Sequence, residues 1–220
     1  MFAKTIKAAI AILFIPIVIS STKAFLQSLE SIGIFDSNLY FLAGGFFAYP
    51  IFHIVFMRPV YVYSLGHEIV HVLATWLCGG KVTSFHVSQH GGTVTTTKTN
   101  LFIRLSPYFI PIHTIFLVVT YWGLSAFLNI SRFSDELVFF IGFTMSLHIF
   151  MTIEAMKLRQ PDIVKTGYLF SVFFIYVANI SVALLVLSLI FTDISFMSFA
   201  KKTFALSKDM YFNIFGNLLT

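Results

Sequence analysis

Charge is what this sequence has least of. Only 10% of its 220 residues are Asp, Glu, Lys or Arg, against about 25% in ordinary soluble chains. Too few charges remain to coat a globule in water, which excludes a soluble enzyme and a disordered tail. The single cysteine, Cys78, has no partner within the chain. A disulfide scaffold is therefore excluded, and cysteine says nothing about redox compartment. Acidic residues are scarcer than basic ones, with 9 Asp+Glu against 14 Lys+Arg and a formal net charge of +5. In a membrane protein such an excess flanks spans, so no nucleic-acid partner is expected. What abounds is apolar: 58% of the chain, including 28 Phe. The expectation is a multi-pass integral membrane protein whose surroundings are the lipid bilayer.

The hydropathy pattern predicts an all-α polytopic fold of about six transmembrane helices, in one domain over residues 1–220. The runs are Ala8 to Ile19, Leu39 to Met57, Val60 to Cys78, Leu105 to Leu128, Leu137 to Met156 and Gly167 to Phe191. Residues 1–24 read as an uncleaved first span or as a signal peptide, since Lys4 and Lys7 precede the run and Thr22-Lys23-Ala24 follows it. Between Lys81 and Lys98 the texture turns β-branched around Gly91-Gly92, which predicts a small β-hairpin at 81–98. The tail over 194–220 alternates Phe, Met and Lys and predicts a short helix on the membrane surface. With six spans the basic residues divide seven to seven between the two sides, so they set no orientation.

The chemistry concentrates in Gly66-His67-Glu68-Ile69-Val70-His71, an H-E-x-x-H within an apolar helical run. Side chains four apart on a helix lie about 40° apart around its axis, so both imidazoles can grip one ion. Glu68 is offset by roughly 100°, where its carboxylate reaches a metal-bound water without displacing a ligand. Zn2+ suits two His and a carboxylate, with the fourth position open to water. Given the His and Glu content, roughly 0.004 such motifs are expected by chance. A carboxylate at the centre of a membrane helix also costs about 2.5–3.5 kcal/mol, so Glu68 demands an explanation. The bland alternative is a buried His–Glu–His hydrogen-bond cluster tying helices together.

The motif, then Gly79-Gly80-Lys81-Val82, then strand-like residues to Gly91-Gly92, resembles the intramembrane zinc metalloproteases of the site-2 protease family. The likeness covers about 30 residues, His67 to roughly Val94; elsewhere it rests on hydrophobicity and span order. It implies His67 and His71 as zinc ligands, Glu68 as general base and acid, and transmembrane segments of proteins as substrates. The family's third ligand is an Asp within Asn-x-x-Pro-x-x-x-x-Asp-Gly. Here the sequence departs, offering Gln160-Pro161-Asp162-Ile163-Val164-Lys165-Thr166-Gly167 without an Asp-Gly pair. Asp162 is the expected third ligand, in the first turn of a helix opened by Pro161. Its alternative is pairing with Arg159 or Lys165 at a helix start.

Glu154 is the rival third ligand, or else a partner for Lys157 or Arg159. His148 is a candidate donor beside the ligands or helix–helix glue, and Asn179 could bond a substrate backbone or a neighbouring helix. His53 and His113 sit in apolar runs, while His86 and His90 fall on the hairpin and are expected to face solvent. Two other functions stay open: a non-proteolytic zinc-binding membrane protein, and a metal-dependent hydrolase of lipid-linked substrates.

Overall fold

The computed structural model describes residues 10–56 and 58–216. Ala8, Lys4 and Lys7 at the start of the first run, Met57 and residues 217–220 lie outside the described residues. The fold is mostly helical with one two-stranded sheet. Its elements are α1 (Ile15–Leu29), α2 (Ser37–Val55), α3 (Val60–Leu77), β1 (Val82–Ser88), β2 (Gly91–Thr96), α4 (Leu101–Leu105), α5 (Ile112–Ser125), α6 (Ser134–Lys157), α7 (Pro161–Thr166), α8 (Tyr168–Ile190) and α9 (Phe196–Gly216). By contacts the chain forms two compact units, residues 37–162 and the two flanking segments together.

Among the described residues four helices are long and apolar enough to cross a membrane, Ile10–Leu29, Ser37–Val55, Ser131–Lys157 and Tyr168–Ile190, which does not confirm the six spans expected. A fifth crossing exists if the bent pair Leu101–Tyr108 and Ile112–Ser125, inclined by 74°, counts as one span. The expected run from Leu105 to Leu128 breaks there because Pro107 and Pro111 interrupt it, each withholding an N–H from the helix ladder. The run from Val60 to Cys78 is helical as α3, but Ser64, His67, Glu68, His71 and Thr75 dilute its hydropathy. The seven-to-seven division of basic residues rests on six spans, a count that these candidates do not confirm.

In the unit of residues 37–162, α2 and α6 meet backbone to backbone. A methyl group at Gly45 would lie 1.8 Å from the carbonyl oxygen of Phe139, and one at Gly142 would lie 2.1 Å from that of Leu42. Only glycine permits this approach, the small-residue logic of helices that pack in lipid. Tyr49 closes the seam, buried and edge-on to Phe143 at 5.3 Å. At one end of this pair Glu154 sits 3.4 Å from Arg58 Nη1 and 3.6 Å from His53 Nε2.

The hairpin forms as expected, with a shifted turn. Gln89 and His90 make the turn, and Gly91-Gly92 open β2 rather than forming the bend. His86 and His90 are exposed, as anticipated. Entry to the hairpin is set at the end of α3, where Gly79 takes a left-handed φ of +68°. There Lys98 Nζ donates to the Cys78 carbonyl at 3.2 Å, a cation on the helix C-terminus.

The other unit holds α1, α8 and α9. The tail is a 21-residue helix, longer than the short one expected, and it packs along α1 and α8. Ser20 Oγ donates to Met210 Sδ at 3.5 Å, and the Tyr211 hydroxyl donates to the Leu13 carbonyl.

Candidate metal centre

Every residue of the centre lies in the unit of residues 37–162. Helix α3 presents His67 and His71 one turn apart, their rings 4.9 Å between centroids. The chain returns through α6, turns at Leu158–Gln160 with Arg159 in a left-handed conformation (φ 52°), and restarts at Pro161 as the first residue of α7. That restart puts Asp162 in a helix first turn, as its neighbour Pro161 predicted. Asp162 Oδ2 lies 3.4 Å from His71 Nε2. One ligand atom each from His67, His71 and Asp162 all fall within 4.8 Å of one another, so this group can hold a metal ion.

The protonation pattern of His71 follows from its partners. Its Nδ1–H donates to the carbonyl of Ile103 at 2.8 Å, because a carbonyl can only accept. Nε2, on the side of Asp162, therefore carries the lone pair that a metal needs. Ile103 is positioned by the cap of α4, where Asn100 Oδ1 accepts from the Ile103 N–H at 2.8 Å. His67 stands between the rings of Tyr63 and Tyr108, at 5.6 and 4.9 Å. Its Nδ1 is buried without a hydrogen-bond partner. A buried ring nitrogen left bare costs about 1–3 kcal/mol, a penalty that a ligated ion removes. The orphaned nitrogen and the oriented lone pair both fit a metal.

Glu68 is 6% exposed and lies under the hairpin. A methyl group at Gly92 would sit 2.5 Å from Glu68 Cγ and 2.9 Å from Oε1, so β2 closes directly over the carboxylate. Behind it, Gly66 admits α5: a methyl there would meet His113 Cε1 at 2.5 Å. The open side is a cavity of about 330 Å³. Its walls come from the ligands and Glu68, from Gly92 to Val94 of β2, and from Ile103, Arg104 and Gln160.

The remaining sequence candidates fall elsewhere. Glu154 is engaged with Arg58 and His53 rather than with Lys157 or Arg159, the partners expected of it, and is not among the clustered ligand atoms. His53 Nδ1 also meets the Tyr49 hydroxyl of its own helix at 2.9 Å, and His113 Nε2 donates to the Val62 carbonyl at 3.1 Å, which ties α5 to α3. His148, buried on α6, is an electrostatic neighbour of His67. Asn179 belongs to the other unit, where its amide donates to the Ile175 carbonyl of its own helix at 2.8 Å. Residue patterns missed the Ile103 carbonyl, which leaves no mark in a sequence. Compared with protein-family models, curated proteins and solved structures, the chain matches none.

Proposed function

We propose that this chain is an intramembrane zinc metalloprotease of the site-2 type, hydrolysing peptide bonds in or near membrane-spanning segments of other proteins. The observation that carries the reading is the convergence of His67, His71 and Asp162 beside the buried Glu68, under the edge of a hairpin. The separation of 3.4 Å between His71 Nε2 and Asp162 Oδ2 lets both bind one ion, and two imidazoles with a carboxylate are a donor set that zinc takes.

When bound, the ion supplies Lewis-acid polarisation of the scissile carbonyl and a water of lowered pKa. His67, His71 and Asp162 would hold it. Glu68 takes a proton from the attacking water on a carboxylate oxygen and returns it to the departing amine nitrogen. Ile103 keeps the His71 lone pair aimed by accepting its Nδ1–H. The hairpin excludes water from above Glu68, and the outer edge of β2 offers unpaired backbone groups to an unwound substrate segment, adding it as a further strand. A transmembrane helix hides its peptide bonds in its own hydrogen bonds, so such a clamp supplies partners for the backbone as it opens.

The direct test is a reporter with one apolar span, mixed with the purified full chain in detergent and read by mass spectrometry. New termini within or beside the span are expected, abolished by a chelator and restored by zinc. An intact reporter across a panel of spans, with zinc bound, overturns the protease reading.

Gly92→Ala gives a second expected result. Its added methyl collides with Glu68 while leaving an allowed backbone, so the carboxylate must move by about an ångström. Misplacement of that size costs roughly 10²-fold in rate. Cleavage is expected to fall to that extent, with zinc content and circular dichroism unchanged; wild-type rates in a zinc-loaded variant would show that β2 does not confine Glu68.

A further inference from the structure

The cavity over the candidate metal centre is lined by one cation, Arg104, that no carboxylate among the described residues pairs with. Arg104 lines it from α4, one residue beyond Ile103, whose carbonyl holds His71. Its Nε donates to Thr99 Oγ1 at 3.0 Å, which fixes the stem of the guanidinium. No carboxylate of the described residues forms an ion pair with it. A planar guanidinium anchored through Nε still has its two terminal nitrogens to present as a fork, the shape that matches a carboxylate.

Charge inside the cavity points the same way. The ionisable lining groups besides the two histidines are Glu68, Asp162 and Arg104. A divalent ion balances the two carboxylates and leaves the charge of Arg104 over. A cavity of about 330 Å³ lies at the small end of ligand pockets and admits only a short stretch of chain. An anion that meets Arg104 must therefore lie within a few residues of the bond presented to the centre.

We propose that Arg104 is a specificity-determining residue that binds a carboxylate on the substrate, next to the cleaved bond. This rests on the protease reading and narrows its substrate class: an apolar segment bearing an Asp or Glu, or ending in a free C-terminus, rather than an uninterrupted apolar span. Apolar residues flanking that carboxylate fit the aliphatic wall of Val94 and Ile103.

The test uses the full-length chain in detergent, zinc-loaded and carrying Glu68→Gln so that binding is read without turnover. Four N-acetylated peptide probes are titrated: Leu-Ala-Gly-Ala-Leu as the free acid and as the amide, and Leu-Ala-Gly-Asp-Leu and Leu-Ala-Gly-Asn-Leu, both as amides. At least one charged member is expected to bind about tenfold more tightly than its neutral twin, as a charge-assisted fork allows. The pair that shows the ratio identifies the source of the carboxylate, main-chain or side-chain. Arg104→Gln should bring the ratio to about one, and Arg104→Lys should keep part of it. Equal binding of charged and neutral probes, or a preference that survives Arg104→Gln, overturns the proposal. So does Arg104-dependent retention on phosphatidylglycerol vesicles without any peptide ratio, which would make a lipid phosphate the occupant. A chain that binds no zinc at all fails earlier, on the metal reading, and is recognised by its metal content before any probe is added.

Discussion

Alanine at His67 or at Asp162 is expected to strip the purified protein of zinc, while alanine at Glu154 leaves it bound. Structural zinc sites contribute about 10–16 kcal/mol shared among their ligands. Losing one ligand therefore costs several kcal/mol, or roughly 10²–10³-fold in affinity. Metal content by mass spectrometry, after dialysis against a weak chelator, should read about one zinc per chain for the wild type and for Glu154→Ala. It should fall close to background for His67→Ala and Asp162→Ala. The contrast is set by geometry: Asp162 lies 3.4 Å from His71 Nε2, whereas Glu154 is spent on Arg58 and His53. Zinc retained in Asp162→Ala and lost in Glu154→Ala would reverse the ligand assignment. A thermal scan gives an independent reading, because an ion at a thousandfold excess over its Kd stabilises the folded state by about 4 kcal/mol. That shift should be absent from the two ligand variants.

Glu68→Gln separates chemistry from binding. Glutamine keeps the size and planarity of the side chain, so the close fit under Gly92 survives. It cannot take a proton from water near neutral pH. Proton transfer by a positioned side chain contributes about 10²–10⁴-fold, and cleavage of the single-span reporter is expected to drop by at least about 10²-fold. Zinc content should not change, since Glu68 is not among the clustered ligand atoms. A variant that binds zinc and still cleaves at the wild-type rate would remove Glu68 from the reaction. A variant that loses zinc would instead make Glu68 part of the cluster's support, the hydrogen-bonded arrangement that the motif also permits.

How far these residues are legible in the sequence depends on the range of the interaction. The spacing within His67-Glu68-xx-His71 needs only the pitch of a helix, so the two imidazoles and the carboxylate were legible. So was the hairpin, because β-branched residues around a glycine pair are a local signal, although Gly91-Gly92 turned out to open β2 instead of making the bend. The span count was less legible. A hydropathy window averages over Pro107 and Pro111, and it gives α3 credit for its flanks while its middle carries the polar residues of the centre.

The expected third ligand and its rival were parted by their three-dimensional neighbours. Glu154 and Asp162 are both acids near the end of an apolar run. Which one faces the histidines depends on the turn at Leu158–Gln160 and on Arg58, nearly a hundred positions earlier in the chain.

The scarcity of charge, the apolar runs and the H-E-x-x-H helix are properties of composition and of contacts within a turn or two. The sequence alone therefore determined that this is a membrane-type chain with a metal-ligand motif on a helix. Tertiary structure decided what those residues meet. It brought Asp162 to His71, set the Ile103 carbonyl on Nδ1, laid Gly92 over Glu68 and placed Arg104 in the cavity wall with no carboxylate partner among the described residues. Each of these joins groups far apart along the chain. Such contacts form only when buried apolar surface and close helix approach outweigh the entropy of closing the loops between them, and no local pattern encodes that balance.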